Sequence, residues 1–318
     1  MGFSAENLLS TNVLNYQGDL ILADNTQNPL TTYLGARDEL TGTAFAEVGA
    51  MEFNMSQTHT LDAASQPAVT ENQTIAAVAS SVNKGTQRPN YAQVFTKAVN
   101  ASMIKLADRS ISGNAVDGDA LLLQVFEPQI VIQQAQIKRD YEFSCINGVG
   151  QDSAGDPDVA YKINGILNAT GIASKAAGGA SISVALFDEI IQIMADAGAS
   201  FDDIHIHCRM DLKQAIAKLF GLPPRDRTLG GINITRIATD AGEMSLVYNP
   251  KMAADTIGFF DMSFCKLVSN TPRIPGAVPF GLYEIASVSM AQKRQLYGHL
   301  GIDFGDGVKH GKITNVKK

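Results

Sequence analysis

The chain has 318 residues, 45% of them hydrophobic, and a formal net charge of -7. That length allows a substantial core, in one large domain or two or three small ones, while the acidic balance argues against a phosphate-binding surface spread over the fold, which would need clustered Lys and Arg. No run of about 18 apolar residues predicts a membrane-spanning helix, and the N-terminus lacks the basic start and apolar stretch of a signal peptide.

Residues 1–83 carry one basic side chain, Arg37, against nine acids. Their larger apolar residues, such as Leu20, Tyr33, Phe45 and Phe53, are too thinly spread to form a core alone. This predicts an arm without helical periodicity, held by contacts outside its own segment. Met51, Phe53 and Met55 alternate with Glu52, Asn54 and Ser56, the period-two pattern of a half-buried strand. Residues 56–74 are small and polar around Pro67, and 75–82 read as a second extended stretch, together forming a long two-stranded loop that needs a surface to lie on. From Asn90 to Met103 the apolar positions fit helix and strand equally. Lys84, Arg88, Lys97, Lys105 and Arg109, and the tail residues Lys309, Lys312, Lys317 and Lys318, read as solvated faces, or else as docking ground for the acidic arm of another copy.

The strongest helical signal runs from about Asp119 to Asn147, with Leu123, Phe126, Ile130, Ile137, Tyr141 and Cys145 near one face. Asp117 or Asp119 can cap it and Asn147-Gly148 can end it; Pro128 predicts a kink between Gln124 and Pro128, or a later start. Residues 148–155 and 171–179 are Gly, Ala and Ser-rich loops bracketing 161–169. A helix over 184–197, a strand over 204–208 and a helix over 211–220, with Asp211 and Gln214 as a capping box, lead to a hairpin of 232–237 and 244–248. Strand-like runs at 265–268, 280–288, 294–304 and 312–316 close the chain.

Signatures of chemistry are sparse. His205-Ile206-His207-Cys208 puts two histidines on one strand face, but no further ligand accompanies them, so the segment reads as a solvated strand edge. Asp202-Asp203 reads as turn formation, and the carboxylates between Asp255 and Asp261 show no acid and base spacing. There is no nucleophile elbow, Walker A loop or dinucleotide fingerprint. Cys145, Cys208 and Cys265, without any C-x-x-C pair, fit buried thiols in a reducing compartment. The acceptor patterns at Asn54, Asn72, Asn100 and Asn168, and the opening Met1-Gly2 with Glu6 where a myristoylation motif wants Ser or Thr, carry no processing.

The order of parts is specific: acidic arm, two-stranded loop, a long helix ending in Lys138-Arg139-Asp140-Tyr141-Glu142, an α+β segment, then closing strands. With Arg88-Pro89-Asn90-Tyr91-Ala92-Gln93-Val94-Phe95, Gly165-Ile166-Leu167 and Gln292-Lys293-Arg294-Gln295-Leu296-Tyr297-Gly298, it resembles a tailed-bacteriophage major capsid protein with the Hong Kong 97-type fold, over almost the whole chain. The resemblance implies an α+β fold: residues 1–43 as N-terminal arm, 44–86 as extended loop, 87–159 as peripheral domain with the spine helix, 160–265 as axial domain, and 266–318 as return strands of the peripheral domain. It implies that identical copies form hexamers and pentamers closing an icosahedral shell around double-stranded DNA, with no catalytic residue, metal or cofactor. The implied partners are other copies, a portal protein, in some members a decoration protein, and packaged DNA held weakly and non-specifically, with no membrane; the virion capsid is assembled in the host cytoplasm. Arm and loop would bury their sparse apolar residues on neighbouring subunits. Some members crosslink through a loop lysine; residues 56–83 contain none and Lys84 lies at the loop's base, so no crosslink is expected. An arm starting at Met1 without helical periodicity predicts a separate scaffolding protein. Two other readings are a cytoplasmic enzyme with a metal or acid/base site at His205, His207 and Asp203, and another virion component such as a tube or decoration protein.

Overall fold

A computed structural model describes residues 13, 15–39, 44–56, 66, 68–71, 88–102, 118–221, 227–229, 232–274, 276–285 and 291–317. The middle of the expected two-stranded loop, Lys84, Lys105, Arg109, Asp117 and Lys318 lie outside these residues.

The acidic N-terminal segment folds into two helices, α1 (Gln17–Leu22) and α2 (Pro29–Glu39). This corrects the expectation of an arm without helix. Leu20, Ile21, Leu30 and Leu34 are buried in the larger of two hydrophobic cores, as are Phe45 and Phe53. Those side chains are therefore satisfied within their own chain, not on neighbours. A short β1 (Ala46–Glu47) follows, then β2 (Glu52–Asn54), whose Phe53 is buried while Glu52 and Asn54 are exposed, matching the alternation. β2 pairs antiparallel with β3 (Pro89–Tyr91), so the chain leaves and returns at one paired base.

β4 (Gln93–Ser102) resolves the segment whose pattern fits either helix or strand. It pairs along its whole length with the late strand spanning Ala291–Asp303, and Phe95, Val99 and Ala101 point inward at period two. A partner strand supplied from far along the chain decided the matter.

The long helix α3 (Gly118–Asn147) runs through Pro128 and begins well before it. At a rise of about 1.5 Å per residue it is about 45 Å long. Pro128 lies on the exposed side, where water can meet the backbone group it frees. Phe126, Ile130, Ile137, Tyr141 and Cys145 are buried as expected. The helix also buries Gln134, Lys138 and Glu142, because it is covered on two sides: by the sheet containing β4 and by α1 and α2. Its C-terminus requires glycine twice. A Cβ on Gly148 would lie 2.4 Å from the carbonyl oxygens of Ile163 and Ser144, and one on Gly165 2.6 Å from the Gly148 nitrogen. The two backbones are pressed together by the Gly165 N–H donating to the Gly148 carbonyl at 2.9 Å.

Beyond it come β5 (Ala173–Ala176), α4 (Val184–Asp196), β6 (Ile204–Cys208), α5 (Met210–Leu219), β7 (Arg227–Leu229), β8 (Ile232–Thr239), β9 (Gly242–Tyr248), β10 (Ile257–Asp261), β11 (Lys266–Asn270), β12 (Phe280–Ile285), β13 (Ala291–Asp303) and β14 (Gly311–Thr314). β5 lies inside the second glycine-rich stretch, read from sequence as loop. The N-cap of α5 is Arg209, with Asp211 inside the first turn, so the expected capping box does not form the helix start. β8 and β9 make the predicted hairpin.

Two sheets organise these strands. In the five-stranded one, β13 takes β4 along one side and β12 then β11 along the other, with β1 on β11. The seven-stranded one has the order β5-β14-β10-β6-β9-β8-β7. Gly311–Thr314, grouped by the sequence reading with the return strands beside the long helix, is instead hydrogen-bonded between β10 and β5. On one face of this sheet Ile206, Cys208 and Phe259 join Phe187, Ile190, Leu212 and Ile216 of α4 and α5 in the smaller core. The opposite face carries His205, His207 and Phe260, and Phe260 belongs to the larger core.

Candidate functional site

The polar side chains of this protein converge where α1 and α2 lock onto the long helix. The last turns of α3 alternate two jobs, as a helix buried on two sides must. Tyr141 faces the five-stranded sheet, donating its hydroxyl to the Gly301 carbonyl at 2.6 Å with its ring against Phe45 and Phe95. Lys138, Arg139 and Glu142 face the arm. Glu142 is fully buried and its carboxylate accepts from the N–H groups of Leu30 at 2.9 Å and Thr31 at 2.8 Å and from Asn249 Nδ2 at 2.8 Å. Those two N–H groups belong to the first turn of α2, which has no intrahelical acceptor for them. An anion there also meets the positive end of the helix dipole. Burial drives the Glu142 pKa up; the hydrogen bonds from Thr31, Leu30 and Asn249 pull the other way without cancelling the rise.

One turn earlier, Lys138 Nζ donates to the Ile21 carbonyl, to Asn25 Oδ1 at 3.0 Å and to Thr32 Oγ1 at 2.8 Å. It thereby ties the end of α1 to the start of α2. Burial lowers its pKa to about 8, against the opposing pull of Glu142 and Asp24. Arg139 pairs with Asp24 at 2.6 Å on the outer side.

The far side of α2 holds the seven-stranded sheet. Tyr33 donates its hydroxyl to Asp203 at 2.8 Å and lies 4.3 Å from the His205 ring; His205 Nε2 is 3.2 Å from Asp203. Burial pushes the Asp203 carboxyl up, but the hydrogen bonds from His205 and Tyr33 and the charge of Arg37 win, holding it below its ordinary value. Arg37 donates to the carbonyls of Met262 and, at 2.7 Å, Cys265. Asn249 closes the circuit, lying 3.4 Å from His207 Nδ1 while it donates to Glu142. α2 is thus a pin joining the long helix to the seven-stranded sheet.

This placement overturns the solvated strand edge expected for 205–208. β6 is an interior strand with all five residues buried, and His205 and His207 are 2% and 1% exposed. Burial, then the neighbouring His205 and Lys213, pushes the His207 pKa well down, so the ring is neutral and packs on Phe260 at 5.1 Å. No group of three His, Cys, Asp or Glu side chains converges on a metal position among the described residues. Cys145, Cys208 and Cys265 are buried free thiols with raised pKa values, burial being the main cause, the Cys208 value reaching about 12; a protonated, enclosed thiol is a poor nucleophile.

A second polar cluster anchors the β2–β3 pair. Asp303, at the end of β13, accepts from the Ser56 hydroxyl at 2.6 Å and from the Ser56 and Gly305 N–H groups. Arg88, where the chain returns, donates to the Thr170 carbonyl and sits 3.7 Å from Asp306. Asn90 is fully buried and uses its whole amide: Nδ2 donates to the Ile302 and Asn164 carbonyls, and Oδ1 accepts from the Tyr91 and Asn164 N–H groups. Gln93 accepts from the Ile163 N–H at 3.3 Å. The motif from Arg88 to Phe95 therefore stitches β3 and the start of β4 to β13 and to the segment before Gly165. Lys97 pairs with Asp140 at 3.6 Å, and Lys309 and Lys312 donate to the carbonyls of Gly198 and Leu167. Arg88, Lys97, Lys309 and Lys312 thus make contacts within the chain, which disfavours reading them as docking ground for another copy's arm.

The arrangement is a set of connectors between the long helix, the two sheets and the β2–β3 pair. No helix among the described residues is long and apolar enough to cross a membrane. Among solved structures, the chain is similar to the capsid asymmetric unit of cyanophage A-1(L), with 11% identity and a TM-score of 0.60 over 93% of this chain and 95% of that one. It is similar to the capsid of a native GTA particle, with 14% identity and a TM-score of 0.53 over 86% and 87% of the two chains. It is also similar to the SrpI encapsulin of Synechococcus elongatus, with 13% identity and a TM-score of 0.52 over 96% of each. These likenesses establish the α+β, Hong Kong 97-type fold. No curated protein matches the sequence. The model of the SU10 major capsid protein matches residues 4–317, and the chain belongs to that family of phage capsid proteins.

Proposed function

We propose that copies of this chain associate as hexamers and pentamers into an icosahedral shell around double-stranded DNA, with α3 as the spine helix. Residues 1–43 serve as the arm, 44–86 as the extended loop, 87–159 as the peripheral domain and 160–265 as the axial domain. Of residues 266–318, β11 to β13 return to the peripheral domain, and 311–317 go with the axial sheet. The observation that carries the proposal is the major capsid protein match across residues 4–317. The net charge of -7 suits a container that must hold DNA without binding it tightly. A separate scaffolding protein sets shell size, a portal protein occupies one vertex, and assembly takes place in the host cytoplasm. Against an enzyme centred on His205, His207 and Asp203 stands their use as connectors: His205 and Asp203 receive Tyr33, and His207 faces Asn249.

Electron microscopy of the purified protein, with sedimentation on the same sample, tests this reading. Closed shells, sheets or hexameric rings are expected, alone or with the phage's scaffolding protein. A uniform monomer under both conditions refutes it, and filaments would favour a tube.

A further inference from the structure

The chain passes three times between the body formed by α3 with the five-stranded sheet and the seven-stranded sheet: over 148–172 from α3 to β5, over 262–265 from β10 to β11, and over 304–310 from β13 to β14. The three passages meet at one junction. A Cβ on Gly307 would lie 2.4 Å from the Thr170 carbonyl oxygen, and one on Gly305 would lie 3.3 Å from Cβ of Phe264. Gly171 and Gly305 have φ of 84° and 67°, a backbone state that glycine adopts without strain.

Two arginines reach this junction from outside the passages. Arg37, near the end of α2, forks to the carbonyls of Met262 and Cys265 in the second passage. Arg88, immediately before β3, donates to the Thr170 carbonyl in the first passage and lies 3.7 Å from Asp306 in the third. Both sit at the rim, with side chains 28% and 35% exposed, whereas Lys138 and Glu142 hold the other side of α2 in full burial. Solvent-exposed polar contacts of this kind open at the least cost.

We propose that the junction is a hinge between the two sheets and that Arg37 and Arg88 are its clamps, through which the positions of α2 and of the β2–β3 pair set the angle between the sheets. A hinge needs only a few residues that absorb a change of backbone torsion, and Gly171 and Gly305 stand next to the groups that Arg88 grips. A planar guanidinium fork holds two acceptors in one fixed arrangement. Because the passages pack on one another, releasing either clamp loosens the passages it does not touch as well. A partner that displaces α2 or the β2–β3 pair thereby changes the angle between the sheets. The inference concerns the single subunit and does not depend on the shell reading above.

The test uses the full chain as the unassembled subunit, in wild-type, Arg37→Gln and Arg88→Gln forms, with folding checked by circular dichroism and a melting curve. Amide hydrogen exchange reads one reporter in each passage: Ile172, whose N–H donates to the Ala169 carbonyl, Cys265, which donates to Met262, and His310, which donates to Gly307. Each variant should speed exchange at all three by on the order of tenfold, including the passages its arginine does not touch: the first and third for Arg37, the second for Arg88. Spin labels at Ile132→Cys on α3 and Asp188→Cys on α4, both exposed positions, should give a broader distance distribution in each variant than in the labelled parent. Faster exchange confined to the passage each arginine grips, with an unchanged distance distribution, overturns the inference and reduces the two side chains to local caps on carbonyls. Unchanged exchange at every reporter also overturns it. Arg37→Lys and Arg88→Lys keep the charge but replace the fork by a single head, and they decide the matter by the same readouts if a glutamine variant does not fold.

Discussion

Glu142→Ala is the most informative single perturbation. It removes the acceptor for three buried donors, the N–H groups of Leu30 and Thr31 and the Asn249 amide, and fills none of the space. A buried donor left without a partner costs about 1–3 kcal/mol. Three of them give an upper range that rearrangement at the start of α2 will trim, so the expected loss is about 3–6 kcal/mol, a large share of the roughly 5–15 kcal/mol that holds a domain folded. Glu142→Gln retains one acceptor oxygen but turns an amide N–H₂ toward the Thr31 N–H, and should cost about 1–3 kcal/mol. Urea unfolding of the unassembled subunit measures the loss. Hydrogen exchange locates it: the Leu30 and Thr31 amides should lose protection before the strands of either sheet. A Glu142→Ala chain within about 1 kcal/mol of wild type, with those amides still protected, would show that the carboxylate does not hold the arm.

Four further outcomes are expected. Lys138 has a folded pKa of about 8 against 10.5 unfolded, so the folded state sheds this proton first. Its contribution to stability is therefore lowest below pH 8 and rises toward pH 10.5, by up to about 3 kcal/mol; a Lys138→Met chain with the same slope as wild type between those values would contradict this. His310 is buried between the Asp261 N–H, which donates to Nδ1 at 3.1 Å, and the Phe304 carbonyl, 2.8 Å from Nε2, and its pKa is lowered, chiefly by burial. Stability from this residue is present above its unfolded value of 6.5 and lost as pH falls through the folded one, and nitrogen NMR should report the Nε2–H tautomer. Gly148→Ala, whose Cβ meets backbone at 2.4 Å, should destabilise by about 2 kcal/mol or more, whereas Gly18→Ala in α1, with nothing within 4 Å, should change stability by under about 1 kcal/mol. Shells boiled in detergent should run as a monomer band, since residues 56–83 offer no lysine; a ladder of multimers would refute that.

How much of this was legible beforehand varies with the physical source of each feature. The helix over 118–147, α4, β6 and the β8–β9 hairpin follow from local periodicity and turn residues. β4 did not, because its alternation suits a strand only once β13 lies beside it. α1 and α2 were hidden for a related reason. Gly18, Thr31, Thr32 and Gly35 weaken their helical signal, and the first turn of α2 draws its acceptor from Glu142, more than a hundred residues away. His205 and His207 were misread because a two-histidine strand looks the same in sequence at an edge and in a sheet centre.

The short motifs show the division most clearly. Lys138-Arg139-Asp140-Tyr141-Glu142 and Arg88 to Phe95 were recognisable as strings, and their order along the chain sufficed to identify the family resemblance. Why those residues are there is a tertiary fact: Lys138 and Glu142 receive α1 and α2, Tyr141 receives β13, and Asn90 joins β3 to two distant backbones. The sequence by itself determined the elements whose signal is local, together with charge and composition. The tertiary structure decided which buried polar groups are partners, which strand of a pair lies where, and that the arm folds back on its own chain, because each depends on atoms brought together from far apart along the chain.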